Sequence, residues 1–274
     1  MILNEYYVLY NGVKIPKIGF GTWQIPNGPE AYNSTLMALK NGYRHIDTAA
    51  VYGNEVSVGK AIKDSNIKRS DIFVTSKLRA SHKGYQIALD DFQDTLDRLG
   101  LDYLDLYLIH APWPWEDRNH CVYAEGNIQS WKAMEKLYKE GKIRSIGVSN
   151  FLPSDLQPIL DNCEIVPMVN QISYHIGLDQ KETEVFCKNK NILIEAYSPF
   201  ATGRIFKVEK VTSMAEKYKV TPAQLCIGWC LQHGTLPLPK STHEERIINN
   251  ATIDFTISEE DMLTLDLIRT PWTR

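Results

Sequence analysis

Phe73-Val74-Thr75-Ser76-Lys77-Leu78 is an apolar, β-prone run of strand length with a lysine near its end. A lysine buried in such a strand must find a carboxylate or lose its charge. The preceding run, residues 44–48, ends near Asp47, a natural partner if the two strands are neighbours. Similar short runs recur at 18–21, 103–110, 145–150, 168–173, 192–198 and 236–240, which makes eight candidate strands with 44–48 and 72–78. Between them lie amphipathic stretches. In Tyr85-Gln86-Ile87-Ala88-Leu89-Asp90-Asp91-Phe92-Gln93-Asp94-Thr95-Leu96-Asp97-Arg98-Leu99, positions 88, 92, 95/96 and 99 form one apolar stripe, and Gly100 is placed to end the helix. A second stretch, 130–137, runs towards Gly141.

Strands alternating with helices imply parallel βαβ units, and about eight of them make either a closed barrel or a large doubly wound sheet. The polar residues choose between the two. Asp47, Lys77, His110, Asn150, Gln171, Tyr197 and Lys240 each fall at the C-terminal end of a strand run. In a (β/α)8 TIM barrel those ends ring one face, so residues far apart in sequence converge on one site. Each alone has an ordinary reading: a snorkelling lysine, a satisfied strand-end histidine, an aspartate capping a helix. Ahead of the barrel, Tyr7-Val8-Leu9-Tyr10-Asn11-Gly12-Val13-Lys14-Ile15 sets Asn-Gly between two β-prone runs, the pattern of a β-hairpin with a type I′ turn.

The 274 residues, 43% hydrophobic and 23% charged, fit one soluble globular domain over 1–274. A formal charge of -3 gives no broad field for nucleic acid or an anionic membrane, so neither is expected as a partner. The N-terminal residues lack the basic start and apolar stretch of a signal peptide, and the expected location is cytoplasmic. The five cysteines, Cys121, Cys163, Cys187, Cys226 and Cys230, are scattered. Cys226 and Cys230, four apart on an expected helix, read as core thiols, and no metal is expected. Residues 111–127, rich in Pro, Trp and charge, read as a substrate-side loop.

Gly42-Tyr43-Arg44-His45-Ile46-Asp47-Thr48-Ala49-Ala50-Val51-Tyr52-Gly53-Asn54-Glu55 resembles the first signature of the aldo-keto reductase superfamily. Lys142-Ile143-Arg144-Ser145-Ile146-Gly147-Val148-Ser149-Asn150-Phe151 resembles the second, and Leu238-Pro239-Lys240-Ser241 with Arg246 and Asn250 the third. The chain resembles the shorter microbial members, of the 2,5-diketo-D-gluconate reductase and glyoxal or methylglyoxal reductase kind. The resemblance implies NADPH-dependent reduction of a small carbonyl substrate by a monomer. It maps the catalytic tetrad onto Asp47, Tyr52, Lys77 and His110. Hydride reaching a carbonyl carbon leaves negative charge on oxygen, which must be protonated as it forms. Tyr52 is the implied donor, its pKa lowered by Lys77, which Asp47 keeps charged. A neutral His110 would aim the substrate oxygen.

The Rossmann fingerprint is absent, since Gly19-Phe20-Gly21 runs on into Thr22, Trp23 and Gln24 with no third glycine. By resemblance, Ser149, Asn150 and Gln171 hold the nicotinamide carboxamide and Tyr197 stacks on its ring. Gly21, Thr22, Trp23 and Asp47 line the same end, and Ser198, Pro199 and Phe200 follow along the cofactor. Lys240, Ser241, Thr242 and Arg246 take the adenosine phosphate, with Ser241 or Thr242 capping a helix there. Asn249 and Asn250 lie towards the adenine, where many members carry Glu or Gln at the position of Asn249. The loop after Tyr197 is short, which implies an open cofactor site and fast release. Trp23, Tyr52, His110 and Trp113 are the implied substrate contacts, with Trp115 nearby. Small aldehydes, α-dicarbonyls and keto-sugars suit such a pocket. A Schiff-base aldolase acting through Lys77 and a non-catalytic NADPH-binding sensor are the alternatives.

Overall fold

The hairpin forms, closed by a different turn from the one its sequence suggests. β1 (Tyr6–Val8) and β2 (Lys14–Pro16) pair antiparallel with Tyr6 opposite Pro16 and Val8 opposite Lys14. Gly12 N donates to Leu9 O at 2.8 Å and Leu9 N to Val13 O at 2.9 Å. Gly12 takes a left-handed φ of 85°, whereas Asn11 is not among the residues of positive φ. A type I′ turn would need both. The Asn11 side chain decides the difference: Oδ1 accepts from Val13 N at 3.1 Å and Nδ2 donates to Arg144 O at 3.0 Å, which fastens the hairpin to the barrel.

The computed structural model describes residues 2–117, 122–178 and 180–271, so part of the 111–127 loop, including Cys121, lies outside the described residues. Among the described residues, eight parallel strands follow one another in chain order: β3 (Phe20–Gly21), β4 (His45–Asp47), β5 (Phe73–Leu78), β6 (Leu106–Ile109), β7 (Ile146–Ser149), β8 (Val169–Ser173), β9 (Leu193–Tyr197) and β10 (Leu236–Leu238). Each lies within a run expected from the sequence. The seam between first and last is closed by Gly19 N to Pro237 O at 3.1 Å and Gly21 N to Pro239 O at 3.0 Å. A Cβ on Gly19 would come within 2.5 Å of Leu238 Cδ2 and 2.7 Å of His45 Nδ1, so the seam requires a glycine there.

Around the strands run α1 (Pro29–Lys40), α2 (Glu55–Asp64), α3 (Tyr85–Leu99), α4 (Ala124–Lys139), α5 (Pro153–Leu160), α6 (Lys181–Asn189), α7 (Glu209–Lys217), α8 (Pro222–Gln232), α9 (Glu244–Ala251) and α10 (Glu259–Asp266). α3 ends as its glycine requires: Gly100 sits at φ 64° and Leu101 N reaches back to Leu96 O at 3.1 Å. α4 begins earlier than its apolar period suggests and takes in 124–127, the end of the stretch read as a loop, because its first turn is tied back to the residues after β6. There Asn127 Nδ2 donates to Pro112 O at 2.8 Å.

Two apolar regions result. Alternate residues on each strand pack outward against the helices, where Phe92 meets Tyr107 edge-on and Trp131 is buried. The inward set, Phe73, Leu106, Leu108, Val169, Leu236 and Leu238, forms a separate core inside the barrel. Leu9 and Ile15 of the hairpin join it and plug its floor. Cys226 and Cys230 are buried on α8, where burial raises both thiol pKa values. Among the described residues no helix is long and apolar enough to cross a membrane.

Candidate active site

Pleating turns every second residue of a strand inward, so Asp47 on β4 and Lys77 on β5 meet above the inner core. Lys77 is fully buried, and its Nζ lies 2.8 Å from both Asp47 oxygens, 2.9 Å from Thr48 O and 3.2 Å from Tyr52 Oη. Burial opposes charge on Lys77, but Asp47 and Tyr52 together hold its pKa above the ordinary lysine value. The ammonium is therefore kept and fixed.

Tyr52 reaches this point through a local device in the segment behind it. Gly53 adopts a left-handed φ of 69° and reverses the chain after the turn Ala50–Tyr52. Asn54, fully buried, donates to Thr22 O at 3.0 Å and Ile25 O at 2.9 Å and accepts from Thr48 Oγ1 at 2.9 Å, tying the turn to the loop after β3. Glu55 accepts from Ser76 Oγ and from Arg98 Nε, both at 2.6 Å, and anchors α2 to β5 and α3. The sequence Tyr52-Gly53-Asn54-Glu55 is thus a hydroxyl followed by its mounting. Burial pushes the Tyr52 phenol up to about 12, and the opposing charge of Lys77 does not cancel that. The expected lowering by Lys77 is real but smaller than desolvation, so Tyr52 holds its proton.

His110 follows β6, its ring centroid 5.7 Å from that of Tyr52 and 5.6 Å from that of Trp115, edge-on to both. Burial, then the charges of Lys77 and Lys83, holds its pKa well below the usual value, so the ring is neutral. Asn150 takes a left-handed φ of 63° just after β7, which turns its amide back to donate to His110 O at 2.9 Å. Its Oδ1 accepts from Tyr197 Oη at 2.7 Å, and Ser149 Oγ donates to Gln171 O at 2.8 Å.

These groups open on one cavity of about 750 Å³, within the usual range for small-molecule sites. Gly21, Trp23, Asp47, Ser149, Asn150, Gln171, Tyr197 and Lys240 line it with Tyr52 and His110, as do Ser198, Pro199 and Phe200. The structure adds Gln24, Val51, Thr202, Gly203 and Leu238, and Trp115 joins the lining. Thr22 is fully buried beside the wall and donates to Asp47 O at 2.9 Å. Trp113 is turned into the protein between Pro112 and Pro114 and does not line the cavity; Trp115, two residues on, takes that place. Ser198, Ala201, Thr202 and Gly203 all have positive φ, so the short loop after β9 is a chain of tight turns beside the cavity. Backbone strain of this kind collects at ligand sites.

The outer end of the site differs from expectation in one respect. α9 starts at Glu244 with His243 at its cap, and Ser241 Oγ accepts from His243 N at 3.1 Å in the turn before it. Neither Ser241 nor Thr242 caps the helix, because the chain makes one more turn before α9 begins. Ser241, Thr242, Arg246, Asn249 and Asn250 lie past Lys240, beyond the cavity itself. Glu244 and Glu245 occupy the first turn of α9 and oppose an anion there, whereas Lys240 and Arg246 are exposed cations of the same segment.

The profile of the aldo/keto reductase family matches residues 17–269. The chain belongs to that family. It is 47% identical over 267 residues to a glyoxal reductase of Bacillus subtilis, covering 97% of this chain and 93% of the relative. It superposes on a crystal structure of an aldo/keto reductase from Brucella melitensis with a TM-score of 0.89 at 41% identity, covering 96% of this chain and 98% of that one. An aldo-keto reductase of Bombyx mori, solved in complex with NADP, matches with a TM-score of 0.86 at 30% identity, over 96% of this chain and 92% of that one. The protein is accordingly an oxidoreductase, and its (β/α)8 architecture is that of the family.

Proposed function

We propose that the protein uses NADPH to reduce small aldehydes, α-dicarbonyls or keto-sugars to alcohols, with Tyr52 donating the proton. The observation that carries this reading is the 3.2 Å contact between the Tyr52 hydroxyl and a fully buried Lys77, at the wall of a cavity shared with His110. NADPH, when bound, supplies the hydride. The residues present fit it. Gln171 Nε2 donates to Asp47 Oδ2 and to Glu195 Oε2, both at 2.8 Å, so only its carbonyl oxygen remains for a ligand, a match for a carboxamide NH₂. Lys240 at the cavity and Arg246 beyond it carry exposed positive charge suited to a phosphate.

Tyr52 then holds a proton at the atom where the carbonyl oxygen gains charge, and Lys77 stabilises the phenolate left behind. His110, neutral, is placed to orient that oxygen. Trp23, Val51 and Trp115 give the cavity apolar walls, which suits small aldehyde-bearing substrates. The glyoxal reductase activity in the name of the Bacillus subtilis relative supports α-dicarbonyls among them. The aldolase alternative requires a free Lys77 amine, whereas its ammonium is engaged by four oxygens.

The test is consumption of NADPH with a panel of glyoxal, methylglyoxal, a short aldehyde and a keto-sugar, with the alcohol identified as product. Consumption with at least one is expected, and none with any of them overturns the reading. Arg246→Ala is expected to raise KM for NADPH about tenfold, the loss of one charge-assisted contact, and to leave NADH kinetics unchanged. Equal effects on both cofactors would remove Arg246 from the phosphate site.

A further inference from the structure

Beneath Asp47 the barrel holds a second carboxyl group that the reaction above does not use. Glu195 lies on β9 in register with Gln171 of β8 and is fully buried on the inward face. Both hydrogens of Gln171 Nε2 are spent, one on Asp47 and one on Glu195, and flipping the amide would set its oxygen against the Asp47 carboxylate and leave Glu195 Oε2 without its donor. We propose that Glu195 is a positioning residue for hydride transfer, fixing the Gln171 amide with its oxygen towards the cavity. The inference rests on the carbonyl-reductase reading and deepens it.

The charge state of Glu195 is part of that role. Burial pushes its carboxyl up to about 8, the carboxylate of Asp47 pushes the same way, and the Gln171 hydrogen bond and Lys77 oppose. At neutral pH it keeps its proton. Besides Asp47 and Lys77, the titratable group facing it is His45 of β4, whose Nε2 lies 3.7 Å from Glu195 Oε1. Burial lowers His45 to about 3, so the two meet as neutral groups and not as an ion pair. His45 Nε2 is instead 2.9 Å from Thr75 Oγ1, and Glu195 Oε1 has no hydrogen-bond partner among the described residues. Gln171 stands between the two carboxyl groups as donor to both, so no proton passes between them. As pH rises through about 8, Glu195 ionises and a second negative charge appears under Lys77. That charge opposes both proton loss from Tyr52 and negative charge on the substrate oxygen, so reduction slows.

The experiment compares kcat/KM for the carbonyl at saturating NADPH, from about pH 6 to about pH 9.5, in wild type, Glu195→Gln and Glu195→Leu. NADPH Kd is read from quenching of tryptophan fluorescence. Lys83, pushed down to about 7 by burial, also titrates here, but its limb is common to all three proteins. Wild type is expected to show a further descending limb near about 8 that Glu195→Gln lacks, because an amide has no proton to lose. Glu195→Gln keeps an acceptor for Gln171 and is expected to keep NADPH Kd, whereas Glu195→Leu raises it about tenfold. Infrared spectra of the cofactor-free protein are expected to show a protonated-carboxyl band that disappears at high pH and is absent in Glu195→Gln. The same limb in Glu195→Gln, an unchanged Kd in Glu195→Leu, or no such band overturns the proposal. Failure of wild type to reduce any carbonyl refutes the functional reading instead, and the infrared and Kd measurements still decide on Glu195. If Glu195→Leu does not fold, the Glu195→Gln comparison decides alone.

Discussion

Tyr52→Phe is expected to lower kcat by about a hundred- to ten-thousandfold with NADPH affinity unchanged, the range for removing a positioned general acid. The ring is retained, and with it the edge contact to His110 and the mounting through Gly53 and Asn54. What is lost is one oxygen, 3.2 Å from Lys77 and at the cavity wall. The measurement is single-turnover reduction beside a fluorescence titration with NADPH. Wild-type kcat in the folded variant would remove Tyr52 from the chemistry. Because burial holds the phenol at about 12, wild-type reduction should not be limited by its ionisation anywhere near neutral pH.

Lys77→Met is expected to abolish turnover and to lower stability by about 3–5 kcal/mol, the usual cost of leaving one member of a buried ion pair alone. Methionine fills most of the lysine volume, so the cost arises from Asp47, which is 3% exposed and keeps only neutral donors such as Gln171. Urea unfolding of both proteins reads this directly, as a lower midpoint at constant slope. The sign with pH follows from the raised Lys77 pKa. Its pairing stabilises the fold at every pH below the unfolded lysine value and is lost only as pH rises through the folded one. Adding Asp47→Asn to the variant should restore part of the stability and none of the activity. A variant as stable as wild type would refute the Lys77–Asp47 pair as a stabilising contact.

Most of the barrel was legible because its signals are local. Strand runs, the Gly100 helix stop and polar residues at strand ends each depend on a few neighbouring positions, and the eight-fold repetition made them mutually consistent. The departures are non-local. Asn11 carries the side chain expected of a type I′ turn, but its contact with Arg144 on the far side of the sequence selects another. Whether Trp113 or Trp115 faces the cavity depends on how α4 holds the loop through Asn127 and Pro112. The Tyr52 phenol was read from its charged neighbour alone, since desolvation has no signature in a sequence. Glu195 did leave a signal: an acid within the apolar run 192–198 poses the same question as Lys77 within 72–78. Its answer, a shared amide nitrogen on β8, exists only in three dimensions.

The hairpin at the N-terminus sits far from the chemistry, yet it sets the traffic. Leu9 and Ile15 complete the packed interior beneath Asp47 and Lys77, so among the described residues the cavity is approached from the C-terminal ends of the strands. Gln171 and Ser149 lie on the strands of the barrel, while Trp23, 46% exposed, stands at the rim. An occupant of the inner part of the cavity is then expected to bind before one at the rim, and product-inhibition patterns check that order.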